Sequence, residues 1–319
     1  MHTMNKIHIT GYGSMIYFIL RSTFISLLIP FLNIYKQDSI LICLVGSLFS
    51  FIFFHLYLYF LKQNNHKNII VYLSKKLPIP INFIVNIVIV LSIIFFGATI
   101  FYKLLHFISS EYLKQTSIFF ITICFILFIC YLSKKSFSTL SKACFIFLSF
   151  SLILYLIKVF GLIGEIKIEN IMPLYKINMS TLFIESLKYA FIVTLPLFLL
   201  LQVSKENIEV NKNLIKKTKI IFVLTCLLLF INLFLIISVM GPNLMSVYSY
   251  PDFHLLSNIK LLGFISKIES LLSLQWIIDM VICITLCLLY VKTYLKYYLP
   301  FLFPHSCDIE SSYKCNKSY

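Results

Sequence analysis

Four ionisable residues lie inside long apolar stretches of the sequence: Arg21, Glu185, Lys188 and Asp279. A charge at the centre of a bilayer costs about 2.5–3.5 kcal/mol on insertion scales, so such residues usually face other protein groups and pair with them. Glu185 and Lys188 are three positions apart, so they can pair along one helical face or extend to lipid headgroups. Arg21 and Asp279 have no partner in their own stretches. We predict that they pair with each other, either as a structural bridge or as a substrate or proton site.

The sequence shows no arrangement of side chains typical of an enzyme. It lacks the G-x-S-x-G, H-E-x-x-H, P-loop and G-x-G-x-x-G motifs. Seven of its nine cysteines lie in apolar stretches, where they act as small hydrophobic residues. We interpret the other two, Cys307 and Cys315, as reduced thiols of a cytosolic tail rather than metal ligands. The sequence therefore predicts no enzyme activity, no catalytic residue, no metal site and no cofactor.

The apolar stretches themselves predict a membrane protein. The 319 residues are 60% hydrophobic with a mean hydropathy of +0.94, whereas soluble domains are about half apolar. Because a span needs about 20 apolar residues, we predict an all-α, polytopic membrane helical bundle in residues 1–300, followed by a cytoplasmic tail, 301–319. The first span is retained and is not a signal peptide. The eight predicted spans are residues 10–34, 39–61, 82–108, 116–133, 141–163, 182–202, 218–240 and 271–292.

The net charge of +15 does not predict a nucleic-acid partner, because the charges are spread over the linkers between the predicted spans. Cytoplasmic linkers of membrane proteins are rich in Lys and Arg. With the N-terminus in the cytoplasm, 17 lysines fall in cytoplasmic segments, and 8 fall in outer segments or at outer span ends, Lys158 of span five among them. We therefore expect both termini to be cytoplasmic, and a half-polar helix at 253–268 to lie on the outer side.

Two predicted spans carry signals of an interrupted helix. Span one has Arg21, Ser22 and Thr23 near its middle, and span six contains Thr194 and Pro196. Proline removes a helical hydrogen bond, and transporters often bind substrate where corresponding spans of inverted repeats are broken. The candidate ligand-binding residues are therefore these five together with Asp279. Simple proline kinks, which are common in membrane helices, are the alternative.

Short motifs near the later spans resemble those of a known family. They are Gly241-Pro242 after span seven, Tyr250-Pro251, the run from Phe264 to Glu269, Trp276 near the start of span eight, and Gln37-Asp38 before span two. With the apolar pattern from about residue 6 to residue 300, these motifs resemble the spore germination permease family, the B subunits of germinant receptors.

The resemblance implies a transporter-like fold, that of the amino acid–polyamine–organocation superfamily. This fold has ten spans in two inverted five-span repeats, with a binding site near the breaks in spans one and six. The helix at 253–268 is then a lid or vestibule element, or alternatively an interfacial helix resting on lipid. Spans nine and ten are expected to be absent, because the tail has one apolar patch too short to cross. The second repeat is then incomplete.

By this resemblance the chain is expected to be a receptor subunit in the inner spore membrane that senses a small nutrient such as an amino acid. Its partners would be other germinant receptor subunits, the nutrient ligand and membrane lipid, without nucleic acid. A ligand carboxylate would meet Arg21, and a ligand ammonium would meet Asp279. Two alternatives stay open: an ion-coupled amino acid transporter, and a degenerate structural subunit of a membrane complex.

Overall fold

Long apolar helices make up the fold. The structure, a computed structural model, describes residues 9–63, 69–202, 212–256 and 268–298, and in these ranges it contains helices and no strands. Seven helical stretches are long and apolar enough to cross a membrane. Helices satisfy backbone hydrogen-bonding groups internally, as lipid requires. The predicted polytopic membrane helical bundle is therefore confirmed.

Each of the eight predicted spans corresponds to helical structure. The helices are α1 (Ile9–Thr23), α2 (Ile29–Asn33), α3 (Ser39–Gln63), α4 (Ile69–Lys76), α5 (Ile79–Phe107), α6 (Ile118–Ser133), α7 (Phe137–Leu162), α8 (Met179–Thr194), α9 (Lys212–Met240), α10 (Pro242–Val247), α11 (Pro251–Leu256) and α12 (Ile268–Tyr298). Span four is α6, which has 16 residues and is about 24 Å long, shorter than the roughly 30 Å hydrocarbon core. The short helix α4 lies between spans two and three, where we predicted none.

Spans one and six change helix type next to the residues that marked them in the sequence. In span one, α1 ends at Thr23, a π-helical segment runs from Phe24 to Leu28, and α2 follows. In span six, α8 ends at Thr194, and a 3₁₀ helix continues from Leu195 to Gln202. Pro196 lies at this second junction, where its missing N–H favours a change of helix type. Both spans thus change their hydrogen-bonding pattern without leaving the helical path.

Span one lies at the centre of the bundle. Its most apolar window is 83% buried, against 28% for span three, α5. Helix α1 packs against α7, α9 and α12, which are spans five, seven and eight. A charged side chain on α1 is therefore surrounded by protein rather than by lipid.

The two ends of the bundle carry different short elements. Helices α10 and α11 lie at the end where spans one and three finish, which we call the α11 face: Asn33 donates a hydrogen bond to the Met245 carbonyl (3.1 Å). The opposite end, the α4 face, includes Ser74 of α4, whose Oγ lies 2.8 Å from the Tyr297 hydroxyl near the end of α12. The cytoplasmic location of the α4 face stays a prediction from the lysine distribution.

The half-polar helix predicted at 253–268 is described only in part. Its first residues belong to α11, which begins at Pro251 and ends at Leu256, and α12 begins at Ile268. The intervening residues, and the predicted tail 301–319, lie outside the described residues. The motif residues Phe264 and Glu269 belong to this gap or to its edge, so their predicted roles are untested.

A glycine permits the close approach of spans two and six. A Cβ built on Gly46 of α3 would lie 2.5 Å from a ring carbon of Tyr189 on α8. Tyr189 is fully buried, and its hydroxyl accepts a hydrogen bond from the Cys43 thiol (3.3 Å). The ring has little room to move, so a larger residue at position 46 must push the two helices apart.

Gly46→Ala is expected to lower the free energy of unfolding by about 1–3 kcal/mol, the usual cost of overpacking a core. Thermal unfolding of the purified chain in detergent measures the change. Gly164→Ala is the matched control, because no atom lies within 4 Å of its added Cβ. Equal midpoints for the two variants would contradict the close approach.

Candidate functional site

Arg21 and Asp279 meet at the centre of the bundle. Nε of Arg21 lies 3.1 Å from Oδ2 of Asp279, and these residues are 9% and 0% exposed. The pair joins α1 to α12, so the predicted pairing of spans one and eight is present in the structure. Each charge offsets a burial cost that the other would otherwise impose on the fold.

Neutral polar groups hold the Arg21 guanidinium from its other side. Its Nη1 donates to the Tyr17 hydroxyl (2.9 Å) and to Oγ of Ser151 on α7 (3.2 Å). Gln275 of α12 donates to the backbone carbonyl of Ser151 (3.2 Å). Sequence reasoning missed these three residues because they carry no charge. One signal was available: Tyr17 precedes Arg21 by four residues, and Gln275 precedes Asp279 by four, so each pair shares a helical face.

The Asp279 carboxylate has unused hydrogen-bonding capacity. Neither of its oxygens has a well-aligned hydrogen-bond donor among the described residues, although Nε of Arg21 is within ion-pair distance of Oδ2. Buried carboxylates normally accept several hydrogen bonds. The pair is therefore held by charge attraction without a bidentate hydrogen bond.

The other predicted ligand-binding residues use their hydroxyls within the fold. Oγ of Ser22 lies within hydrogen-bond distance of the Phe18 carbonyl (2.8 Å) and the Asp279 backbone carbonyl (2.7 Å). Thr23 donates to the carbonyl four residues before it (2.7 Å), and Thr194 does the same (2.7 Å). Ser22 thus adjoins the charge pair directly. No hydrogen bond or ion pair in the described part of the chain joins Thr194 or Pro196 to it.

The space beside Arg21 is small in this conformation. A cavity of about 10 Å³ is lined on its polar side by Tyr17, Arg21, Tyr155 and Asn232. That volume is close to the minimum for one water molecule. An amino acid would therefore enter only after α1, α7 and α9 had moved apart.

A second buried ion pair lies at the α11 face. Lys158 of α7 donates to the Asp252 carboxylate and to Oδ1 of Asn232 on α9. All three residues are buried: Lys158 is 6% exposed and Asp252 only 1%. This pair fastens the short helix α11 to spans five and seven.

The second pair was not predicted from the sequence. We counted Lys158 only among the lysines at outer span ends. A lysine near a span end can extend to the headgroups, but here the Asp252 carboxylate gives it a buried partner. Asn232, inside an apolar stretch of span seven, was the overlooked signal that a polar partner was needed there.

Asp38 of the Gln37-Asp38 motif binds a loop of the chain itself. The Asp38 carboxylate accepts hydrogen bonds from the backbone N–H groups of Tyr175 (2.6 Å), Lys176 (2.9 Å) and Ile177 (3.1 Å). Successive N–H groups form a concave site for an anion, and Asp38 is itself buried. The motif therefore ties the start of span two to the loop before span six.

The Gly241-Pro242 motif forms the turn between α9, which is span seven, and the short helix α10. Gly241 has φ of +82° and a side chain there would be strained. Its Cβ position lies 3.3 Å from Oδ1 of Asn170, whose Nδ2 donates to the Ser238 carbonyl (2.8 Å). Pro242 begins α10, where a missing N–H costs nothing.

Tyr250 and Trp276 of the motifs pack on one aromatic side chain, Phe107. The ring centroids lie 5.1 Å and 5.3 Å from that of Phe107. Tyr250 also donates to the Lys103 carbonyl (3.2 Å), and its hydroxyl lies 2.9 Å from Nδ1 of His106. Burial raises the pKa of the Tyr250 phenol above its ordinary value, so it stays neutral. These motif residues seat α11 and α12 against the end of span three.

Fold and site together define a polytopic membrane protein with a charged centre in an interrupted first span. A family model described as spore germination protein matches residues 11–300, so the chain belongs to the spore germination permease family. The resemblance drawn from the motifs is thereby confirmed. No curated protein and no solved structure matches the chain significantly.

Arg21→Ala and Asp279→Ala are each expected to lower the free energy of unfolding by about 3–5 kcal/mol, because each strands a buried charge. The double variant should be more stable than either single variant. Membrane abundance and thermal midpoint in detergent measure the three changes. Lys216→Ala is the control, since Lys216 is exposed and removal of a surface charge costs about 1 kcal/mol or less. A double variant no better than the singles contradicts direct pairing.

Asp252→Asn is expected to loosen α11, because it leaves Lys158 buried without a counter-charge. Backbone hydrogen exchange in residues 251–256 should accelerate by roughly a hundredfold, which corresponds to about 3 kcal/mol. Lys158→Met in the same chain should restore much of the protection. Glu169→Gln, at an exposed position of the same face, is the control. Unchanged exchange in Asp252→Asn would show that the pair does not hold α11.

Proposed function

We propose that this chain is the membrane subunit of a germinant receptor that senses a small nutrient such as an amino acid and signals to partner subunits. Family membership supports a permease-like role in germination. The observation that carries the finer proposal is the buried Arg21–Asp279 pair, whose carboxylate lacks well-aligned donors among the described residues. We further propose that the subunit lies in the inner spore membrane with both termini in the cytoplasm.

The charge pair suits a zwitterionic ligand. An amino acid carboxylate would bind Arg21, and its ammonium would donate to the free oxygens of Asp279. The ligand then replaces one attractive pair by two, and the site stays neutral overall. Charged hydrogen bonds of this kind are about twice as strong as neutral ones, which offsets part of the cost of separating Arg21 from Asp279.

Binding is coupled to a change of conformation, because the cavity beside Arg21 holds about one water. A ligand therefore favours a conformation in which spans one, five and seven are further apart. Two of these spans also hold the Lys158–Asp252 pair through Lys158 and Asn232. Their movement would release or reposition α11, a change at the α11 face that a partner subunit could detect.

Ion-coupled amino acid transport is the second candidate function. The π-helical segment in span one and the 3₁₀ segment in span six favour it, since carriers bind substrate at such breaks. Uptake distinguishes the two candidates: proteoliposomes of a transporter accumulate labelled amino acid when an ion gradient is imposed, whereas those of a sensor do not.

Complementation of a deletion strain tests the sensing role. Each strain carries one variant of the chain, and its spores are assayed. Arg21→Lys and Asp279→Asn should each raise the nutrient concentration needed for germination by about tenfold or more, since a lost charged hydrogen bond costs about 1.5–3 kcal/mol. Germination is scored across single amino acids and sugars, and membrane abundance is measured in parallel.

Lys216→Gln, at an exposed position, is the matched control and should respond as the unaltered chain does. If both site variants are present at normal abundance and respond normally, Arg21 and Asp279 do not bind the nutrient. If the deletion itself changes no response, the chain acts as a degenerate structural subunit, and its buried charges serve stability alone.

A further inference from the structure

An apolar groove opens on the lipid-facing side of the bundle. It lies between α5, α6 and α12 and has a volume of about 340 Å³, within the range of small-ligand sites. Its walls include Ile94, Ala98, Ile126, Cys130, Leu288 and Val291. Neither ion pair of the candidate ligand site contributes to it. The groove is thus a separate feature of the molecule, independent of the proposed function.

Basic side chains gather where the groove reaches the α4 face. Val291 is followed by Lys292, and Cys130 is one helical turn before Lys134. Nζ of Lys292 donates to the Ser133 carbonyl (3.3 Å), which fixes the ends of α6 and α12 side by side. Lys134 and Lys296 lie close enough to Lys292 for their charges to act on it. Three lysines therefore lie near this end of the groove.

These lysines are not neutralised within the described part of the chain. The ion pairs found there join Arg21 to Asp279, Lys158 to Asp252, Lys188 to Glu185 and His254 to Glu111. Like charges this close repel one another. An anion at the α4 face would relieve that repulsion.

We propose that the groove and the lysines Lys134, Lys292 and Lys296 form a binding site for one anionic phospholipid. The phosphate binds the ammonium groups at the level of the headgroups, and one acyl chain lies along the groove toward Ile126. Apolar walls alone accept any lipid tail, whereas the lysines select a negative headgroup. The lipid fills the space between spans three, four and eight and fixes the short helix α6 against α12.

A second copy of the chain fits the groove less well. A two-fold dimer places the same surface on both partners, so the lysines at this end of the groove would be brought near those of the partner. A phospholipid supplies the complementary charge instead, and it is present wherever the protein is.

Native mass spectrometry of the full chain released from detergent tests the site. Phosphatidylglycerol and phosphatidylcholine with identical acyl chains are added in turn. The unaltered chain should bind phosphatidylglycerol at least tenfold more tightly. The triple change Lys134→Gln, Lys292→Gln and Lys296→Gln should remove the preference, at about fivefold per lysine. The corresponding Lys→Arg triple variant should retain it, which shows that charge is the cause.

Two further variants separate the groove from general surface charge. Ala98→Trp fills the groove and should weaken binding of both lipids. Lys216→Gln with Lys217→Gln removes two exposed lysines at the same face, on α9, and should change neither affinity. Free glycerol phosphate should not compete.

Four results would overturn the proposal. They are equal affinity for the two lipids, an equal loss in the α9 control, full phosphatidylglycerol affinity in Ala98→Trp, and competition by glycerol phosphate. Release of a dimer that Ala98→Trp abolishes would instead assign the groove to a second copy. Thermal midpoints of each variant show whether a lost affinity reflects unfolding.

Discussion

The attraction between Arg21 and Asp279 across the centre of the bundle constrains everything around it. Lipid and packed apolar side chains solvate charges poorly, so neither residue is tolerable at that depth alone. The pair requires span one to lie between spans five and eight, and it requires Tyr17 and Ser151 to complete the guanidinium's contacts. Span one is consequently the most buried of the long spans.

Two buried pairs, rather than one, connect the centre to the α11 face. Asn232 lines the small cavity beside Arg21 and also accepts from Lys158. Through Lys158 the contact continues to Asp252 on α11. Polar residues thus extend from the charge pair to α11 through apolar surroundings.

The features predicted correctly from the sequence are those marked by long apolar stretches or by charges within them. The seven long apolar helices and the Arg21–Asp279 pair followed from such signals, and the changes of helix type lie beside the residues that marked spans one and six. Sequence reasoning missed Gln275 and Ser151, because neutral polar residues are common in membrane helices and their partners come from distant spans. It missed the burial of Lys158, since nothing local distinguishes a lysine that reaches the headgroups from one that meets Asp252. The role of Asp38 depended on a loop more than 130 residues away, which no local pattern encodes.

The π-helical segment of span one also changes which positions of that span share a helical face. A π turn holds one residue more than the α-helical turn it replaces, so the helical faces before Phe24 and after Leu28 are offset by one position. Tyr17 and Arg21 share a face with each other, but the π turn shifts the register by one position before Asn33 is reached. The two helical parts of span one therefore differ in register. The first places Tyr17 and Arg21 on the face toward the other buried polar groups, and the second places Asn33 next to the Met245 carbonyl.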